Sequence, residues 1–130
     1  MTSAIYASLS AFLICWLSLN VIKKRRENSV SIGDGGNEEL KTAIAAQSNA
    51  IEYVPITLLL LFALEYNAAN IWIIHLFGVA LITSRVIHAR NLLSNNLSGR
   101  VLGMQITIYT IIGLAVLNIV YLPYSHLFKL

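Results

Sequence analysis

Charge is what this sequence has least of. Of its 130 residues only 12% are Asp, Glu, Lys or Arg, while 57% are hydrophobic. Soluble domains run near a quarter charged, so this balance excludes an ordinary water-soluble domain and indicates a membrane protein. Cysteine is nearly absent as well. Cys15 stands alone in an apolar run, which excludes a disulfide framework and leaves the redox compartment unread. No neighbouring base would lower its thiol pKa, so it is read as an apolar filler. No His, Cys or Asp cluster has metal-ligand spacing, and no metal site is expected. The glycines of Ser31–Gly36 lack the lysine and the preceding strand of a phosphate loop. Internal repeats and low-complexity tails are also missing.

What the chain does have is four long apolar runs. Ser3 to Ile22 carries no charge, and the basic residues Lys23 to Arg26 follow it rather than precede it. That order describes a spanning helix with a stop signal, not a removable leader. Ala43 to Leu64 is long enough to span at 1.5 Å per residue, with Glu52 as its one charge. Asn67 to Ser84 is uncharged, and its helix should continue past Arg85. Val101 to Phe128 is uncharged too, with Pro123 ending the helix near Leu122. The expected fold is one all-α membrane domain over residues 1–130, a four-transmembrane-helix bundle with helices at about 3–22, 40–64, 68–90 and 100–122. Asn37 followed by Glu38 and Glu39 reads as a capped helix start, with acids at the positive end of the dipole.

The basic residues set an orientation. Lys23, Lys24, Arg25, Arg26, Lys41, Arg85, Arg90 and Arg100 all fall in or beside the first and third loops, and Lys129 alone falls on the other side. By the positive-inside rule those loops face the cytoplasm and both termini lie on the non-cytoplasmic side. This bias accounts for the net charge of +3, so no nucleic-acid partner is implied. The partner is the lipid bilayer.

Against this background a few polar residues are out of place. A charge at mid-membrane costs roughly 2.5–3.5 kcal/mol on insertion scales. Glu52 is too short to snorkel, so it needs a protein interior, a cation or a polar ligand. Asn49 and Glu52 are i and i+3 on one face, which Ala45, Ser48 and Ile56 extend. Gln47 points to a different neighbour. Small residues Ala43, Ala45, Ala46, Ser48 and Ala50 permit close approach of another helix. Arg85 and His88, again i and i+3, end the third helix, and Arg100 opens the fourth. Two readings follow. Glu52 and Arg85 form a buried ion pair and nothing more, or these residues also line a pocket for an anionic or zwitterionic small molecule. His75, mid-helix, reads as a packed histidine; Tyr109, Tyr121 and Tyr124 read as packing and an interfacial belt.

These same residues resemble a known family, the membrane-associated proteins in eicosanoid and glutathione metabolism (MAPEG). The pattern is Asn49-x-x-Glu52-Tyr53-x-Pro55, with Arg85-x-x-His88 ending the third helix and Arg100 opening the fourth. Ser31 to Leu40 is similar to the short bacterial branch, so the bacterial inner membrane is the expected location. The resemblance implies a four-helix protomer in a homotrimer, with glutathione between subunits near the cytoplasmic face. It implies transferase or peroxidase chemistry on lipophilic electrophiles. Asn49 and Glu52 would help hold glutathione, Arg100 would stabilise its thiolate, and Tyr53 and Gln47 match positions of the leukotriene-forming branch. The pocket reading adds Arg85 and His88 to the glutathione-binding set. Two positions depart from the family: Ala45 where an arginine is common, and Leu92 where the synthases have tyrosine. They define the alternative, a non-catalytic binding or structural protein of the same fold.

Overall fold

The structure, a computed structural model, describes residues 1–127; Lys129 lies outside them. Four long helices run α1 Ser3–Asn28, α2 Glu38–Tyr66, α3 Ile71–Leu93 and α4 Leu97–Val120, followed by one turn, α5 Tyr124–Leu127. All four long helices are apolar enough to cross a membrane. Short connections fold them up and down, with α2 and α3 in the middle. α1 packs on α2 and α3, and α4 packs on α3 and α2 from the opposite side; α1 and α4 make no contact among the described residues.

The helices are longer at the basic end than the apolar runs alone suggest. α1 continues through Lys23–Arg26 to Asn28 instead of stopping near residue 22. Lys and Arg are good helix formers, and cations suit the negative end of the helix dipole. Glu27 lies 3.3 Å from Lys24 and 3.9 Å from Lys23, pairs one turn apart. Ser29 then breaks the helix with φ 54°. α2 starts at Glu38 as the cap signal implies, Asn37 Oδ1 accepting from the Leu40 N–H at 2.9 Å. In the intervening loop Gly35 has φ 58°, and a Cβ there would come within 2.6 Å of Val30, so only glycine fits. α4 starts earlier than expected, at Leu97, capped by Asn96, and ends at Val120, ahead of Pro123.

The core is built where small residues let helices approach. Ala43, Ala46 and Ala50 of α2 are fully buried, packed in clusters with Leu17 and Val21 of α1 and Ala89 and Leu92 of α3. Ala45 and Ser48, on the other side of α2, are exposed. At the far end Tyr6, Leu61, Leu64, Ile74 and Leu114 form a second core. Two buried hydroxyls bond within their own helix, Thr57 to the Tyr53 carbonyl and Thr110 to Ile106, both at 2.7 Å, as membrane interiors favour; the buried Ser10 Oγ has no partner among the described residues. Large apolar side chains such as Phe12, Trp16, Leu59 and Ile119 are exposed, which in a bilayer is their proper solvent.

Candidate functional site

At the basic end, between α4 and the paired helices α2 and α3, lies a cleft of about 510 Å³. Its polar part is Asn49, His88, Arg100 and Gln105; Leu97, Val101, Met104, Ile108 and Tyr109 complete the lining. Most of these belong to one face of α4 at helical spacing, exposed in the protomer. The site is therefore a polar floor with an apolar wall that continues into the exposed surface of α4.

Close approach of α3 and α4 makes this possible. A Cβ at Gly103 would stand 2.6 Å from His88 N and 2.8 Å from its Cα, so the two backbones touch beside the site. One turn on, the buried Thr107 hydroxyl donates to the Gly103 carbonyl at 2.9 Å and accepts from Arg85 Nη1 at 3.3 Å. Asn96 caps α4 through the Gly99 N–H at 3.3 Å and sets Arg100 one residue later, exposed at the cleft edge. A cation at the positive end of a helix dipole is locally unfavourable. Helix stability does not explain its place there.

Arg85 does not line the cleft; it lies behind the floor. Its side chain is only 1% exposed, about 12 Å from the end of α3 at 1.5 Å per residue. Nη2 donates to Asn49 Oδ1 and lies 3.3 Å from His88 Nδ1. Its guanidinium carbon stands 5.9 Å over the Tyr53 ring, within cation–π range. Nε is buried without a hydrogen-bond partner among the described residues.

The remaining candidates separate. Glu52 is exposed on the protomer and makes no ion pair with Arg85; the ion pairs among the described residues all involve Lys23, Lys24 or Lys41. The expected Glu52–Arg85 pair is thus absent from the protomer, and the reason is angular. Residues i and i+3 differ by about 60° around a helix. Asn49 and, one turn on, Tyr53 use the inner side of that angle and Glu52 the outer. Gln47 sits on the seam with α1, its amide donating to Ser18 Oγ at 2.8 Å. Of the seven residues expected at the site, Asn49, His88 and Arg100 meet in the cleft, Arg85 and Tyr53 back it, and Glu52 and Gln47 face elsewhere. Leu92 is buried in the core beside Leu17 and Ala46, away from the lining. Tyr109, read as packing, lines the cleft, as do Met104 and Gln105, which sequence reasoning passed over. Their signal is helical spacing from Arg100.

A second polar cluster occupies the other end. Glu65 at the end of α2 accepts from the Thr2 N–H, the Ser3 N–H at 2.8 Å and the Ser3 hydroxyl, capping α1 in place of Thr2, whose side chain makes no cap. His75, as expected of a packed histidine, is bonded through Nδ1 to the Tyr6 hydroxyl at 2.7 Å and packs against Trp72.

Comparison with known proteins identifies the family. Residues 3–120 match the MAPEG family. The chain is 35% identical over 130 residues to the "Inner membrane protein YecN" of Escherichia coli strain K12, covering 100% of this chain and 99% of the relative. The protein of the same name from Escherichia coli O6:H1 matches to the same extent. With four spanning helices and full-length relatives named for the inner membrane, the chain is an integral inner-membrane protein. It belongs to the MAPEG family.

Proposed function

We propose that the protein is a membrane-bound glutathione-dependent transferase or peroxidase acting on lipophilic electrophiles. The observation that carries this reading is the cleft itself, which joins Arg100, His88 and Asn49 to an exposed, largely apolar α4 wall. The donor set suits the ligand: glutathione has two carboxylates, and its thiol becomes a strong nucleophile once ionised. Bound glutathione would supply that sulfur. Arg100 would favour the thiolate, because a guanidinium stays charged when partly desolvated. Asn49 and His88 would anchor the peptide, while Met104, Ile108 and Tyr109 would take the electrophile from the bilayer. By the positive-inside rule their basic residues would put the first and third loops, with the mouth of the cleft, on the cytoplasmic side.

Glu52 supports assembly. An exposed carboxylate inside the bilayer is costly, so a second copy covers this face of α2; a homotrimer is the number the family resemblance implies. In that assembly Glu52 would meet the ligand's ammonium or a neighbouring subunit's cation.

Calorimetric titration of glutathione into the detergent-solubilised protein, with ultraviolet difference spectra for thiolate, tests the reading. Binding together with a thiolate band is expected. Binding without the band would favour a non-catalytic family member, to which the burial of Leu92 in the core is suited. Neither signal would discard the glutathione reading. Native mass spectrometry showing only monomers would discard the trimer.

A further inference from the structure

A guanidinium carries five N–H donors and no acceptor, so every atom bonded to it must accept. This settles two ambiguities at the cleft. Asn49 turns its oxygen toward Arg85, which leaves its NH₂ directed elsewhere. His88 turns Nδ1 toward Arg85, so Nδ1 holds a lone pair and the neutral ring carries its hydrogen on Nε2. Both side chains line the cleft. Among the described residues their side-chain hydrogen bonds go to Arg85 alone, so the Asn49 NH₂ and the His88 Nε2–H are unused.

The cost of this arrangement argues that it does more than brace two helices. Arg85 is fully buried, and among the described residues its Nε lacks a partner and no carboxylate pairs with it. A buried, unneutralised cation is among the most costly groups a protein can hold. An apolar residue of similar volume would brace α3 against α4 without that cost. A glutamine would supply hydrogen bonds, but its own carbonyl would allow Asn49 to flip and His88 to change tautomer. What a donor-only cation alone supplies is a fixed polarity.

We propose that Arg85 is a positioning residue that sets the polarity of the cleft floor. Through it Asn49 and His88 both present N–H groups, and the floor, with Arg100 at its edge, receives a carboxylate. The identity of that carboxylate as part of glutathione rests on the function proposed above; the polarity of the floor does not.

The test uses full-length protein in detergent with ¹⁵N-labelled histidine rings. The His88 signals are identified by their loss in His88→Gln. In the wild type, His88 shows the Nε2–H tautomer. In Arg85→Gln it becomes a tautomer mixture, and Arg85→Lys, still donor-only, restores the Nε2–H form. Decanoate shifts the His88 Nε2 signal and methyl decanoate does not, while His75 at the other end serves as internal control. Arg85→Gln weakens decanoate binding by about 10-fold, as expected for losing donors to a charged acceptor. An Nδ1–H or imidazolium His88 in the wild type would overturn the proposal. So would a tautomer unchanged in Arg85→Gln, or equal response to acid and ester. If Arg85→Gln does not fold, the wild-type tautomer and the acid-versus-ester response still decide. S-hexylglutathione titrated in parallel separates the two readings: the polarity confirmed without its binding would keep the role of Arg85 and discard glutathione.

Discussion

The two ends of the bundle handle buried polarity in opposite ways. At the far end, Glu65 closes on the first turn of α1 and Tyr6 closes on His75, so these two pairs satisfy each other, although the Ser10 hydroxyl farther along α1 has no partner among the described residues. At the basic end, Arg85 gathers Asn49, Thr107 and His88 but leaves its own Nε unpartnered and two donors turned to a cleft. A closed cluster holds helices together. An open one, kept at a cost in a membrane interior where unsatisfied groups are penalised, has bonds left to make with something else. That contrast, more than any single residue, is why the function is proposed at the basic end, and substitutions at the two ends should separate accordingly.

The largest expected effect is at Arg100. Arg100→Ala removes one preorganised cation from the cleft edge, and conjugation of glutathione to a lipophilic electrophile should fall by about 10²-fold or more. Because Arg100 is exposed at an α4 start where a cation is unfavourable, the melting temperature should not fall. A rate within a factor of about two of wild type would remove Arg100 from the chemistry.

Glu65→Gln should show the opposite pattern. The substitution weakens charge-assisted bonds to Thr2 and Ser3, for a loss of about 1.5–3 kcal/mol in stability. The melting temperature should drop, with glutathione affinity unchanged. A loss of affinity as large as the loss of stability would mean that the two ends are coupled, and the contrast between them would fail.

Gly103→Ala probes the close approach on which the cleft depends. The added methyl would meet the His88 backbone, which cannot swing aside as a flexible side chain would. Overpacking of this kind costs about 1–3 kcal/mol. Here stability and ligand affinity should fall together, since the displaced element carries both the floor and the wall. Thermal melts and calorimetry on one preparation check it.

How much of this could be read from the sequence varied with the physics involved. Four spanning helices were legible because bilayer thickness imposes run length. Helix ends were legible only in part: Asn37 marked the start of α2, but the residues around Lys23–Arg26 read as a stop while their local chemistry extends α1 to Asn28. At the site, the spacing of Asn49, Arg85, His88 and Arg100 was informative about depth and end. It could not say that Arg85 lies behind the floor or that Glu52 faces out, since a 60° rotation decides that and depends on where neighbouring helices pack. The α4 wall was hidden for another reason: Leu97, Val101, Met104 and Ile108 cannot be told by type from residues that merely face lipid. Glu65 went unnoticed because its partners, Thr2 and Ser3, lie at the far end of the chain.

The smallest expected effect is the control that the contrast needs. Tyr6→Phe keeps the ring that packs against Gly78 and removes only the hydroxyl bonded to His75. A single neutral hydrogen bond contributes about 0.5–1.5 kcal/mol net. The cost should sit at the low end, because His75 is only half-buried and can turn to other partners near the membrane boundary. The melting temperature should fall slightly, while glutathione affinity and conjugation rate stay at wild-type values. The decisive comparison is with the His88 ring signals in the same variant: a closed cluster at the far end predicts that they do not move. A shift at His88, or a rate change beyond about twofold, would show that the Tyr6–His75 pair communicates with the cleft, and the far end would then have to be counted as part of the site.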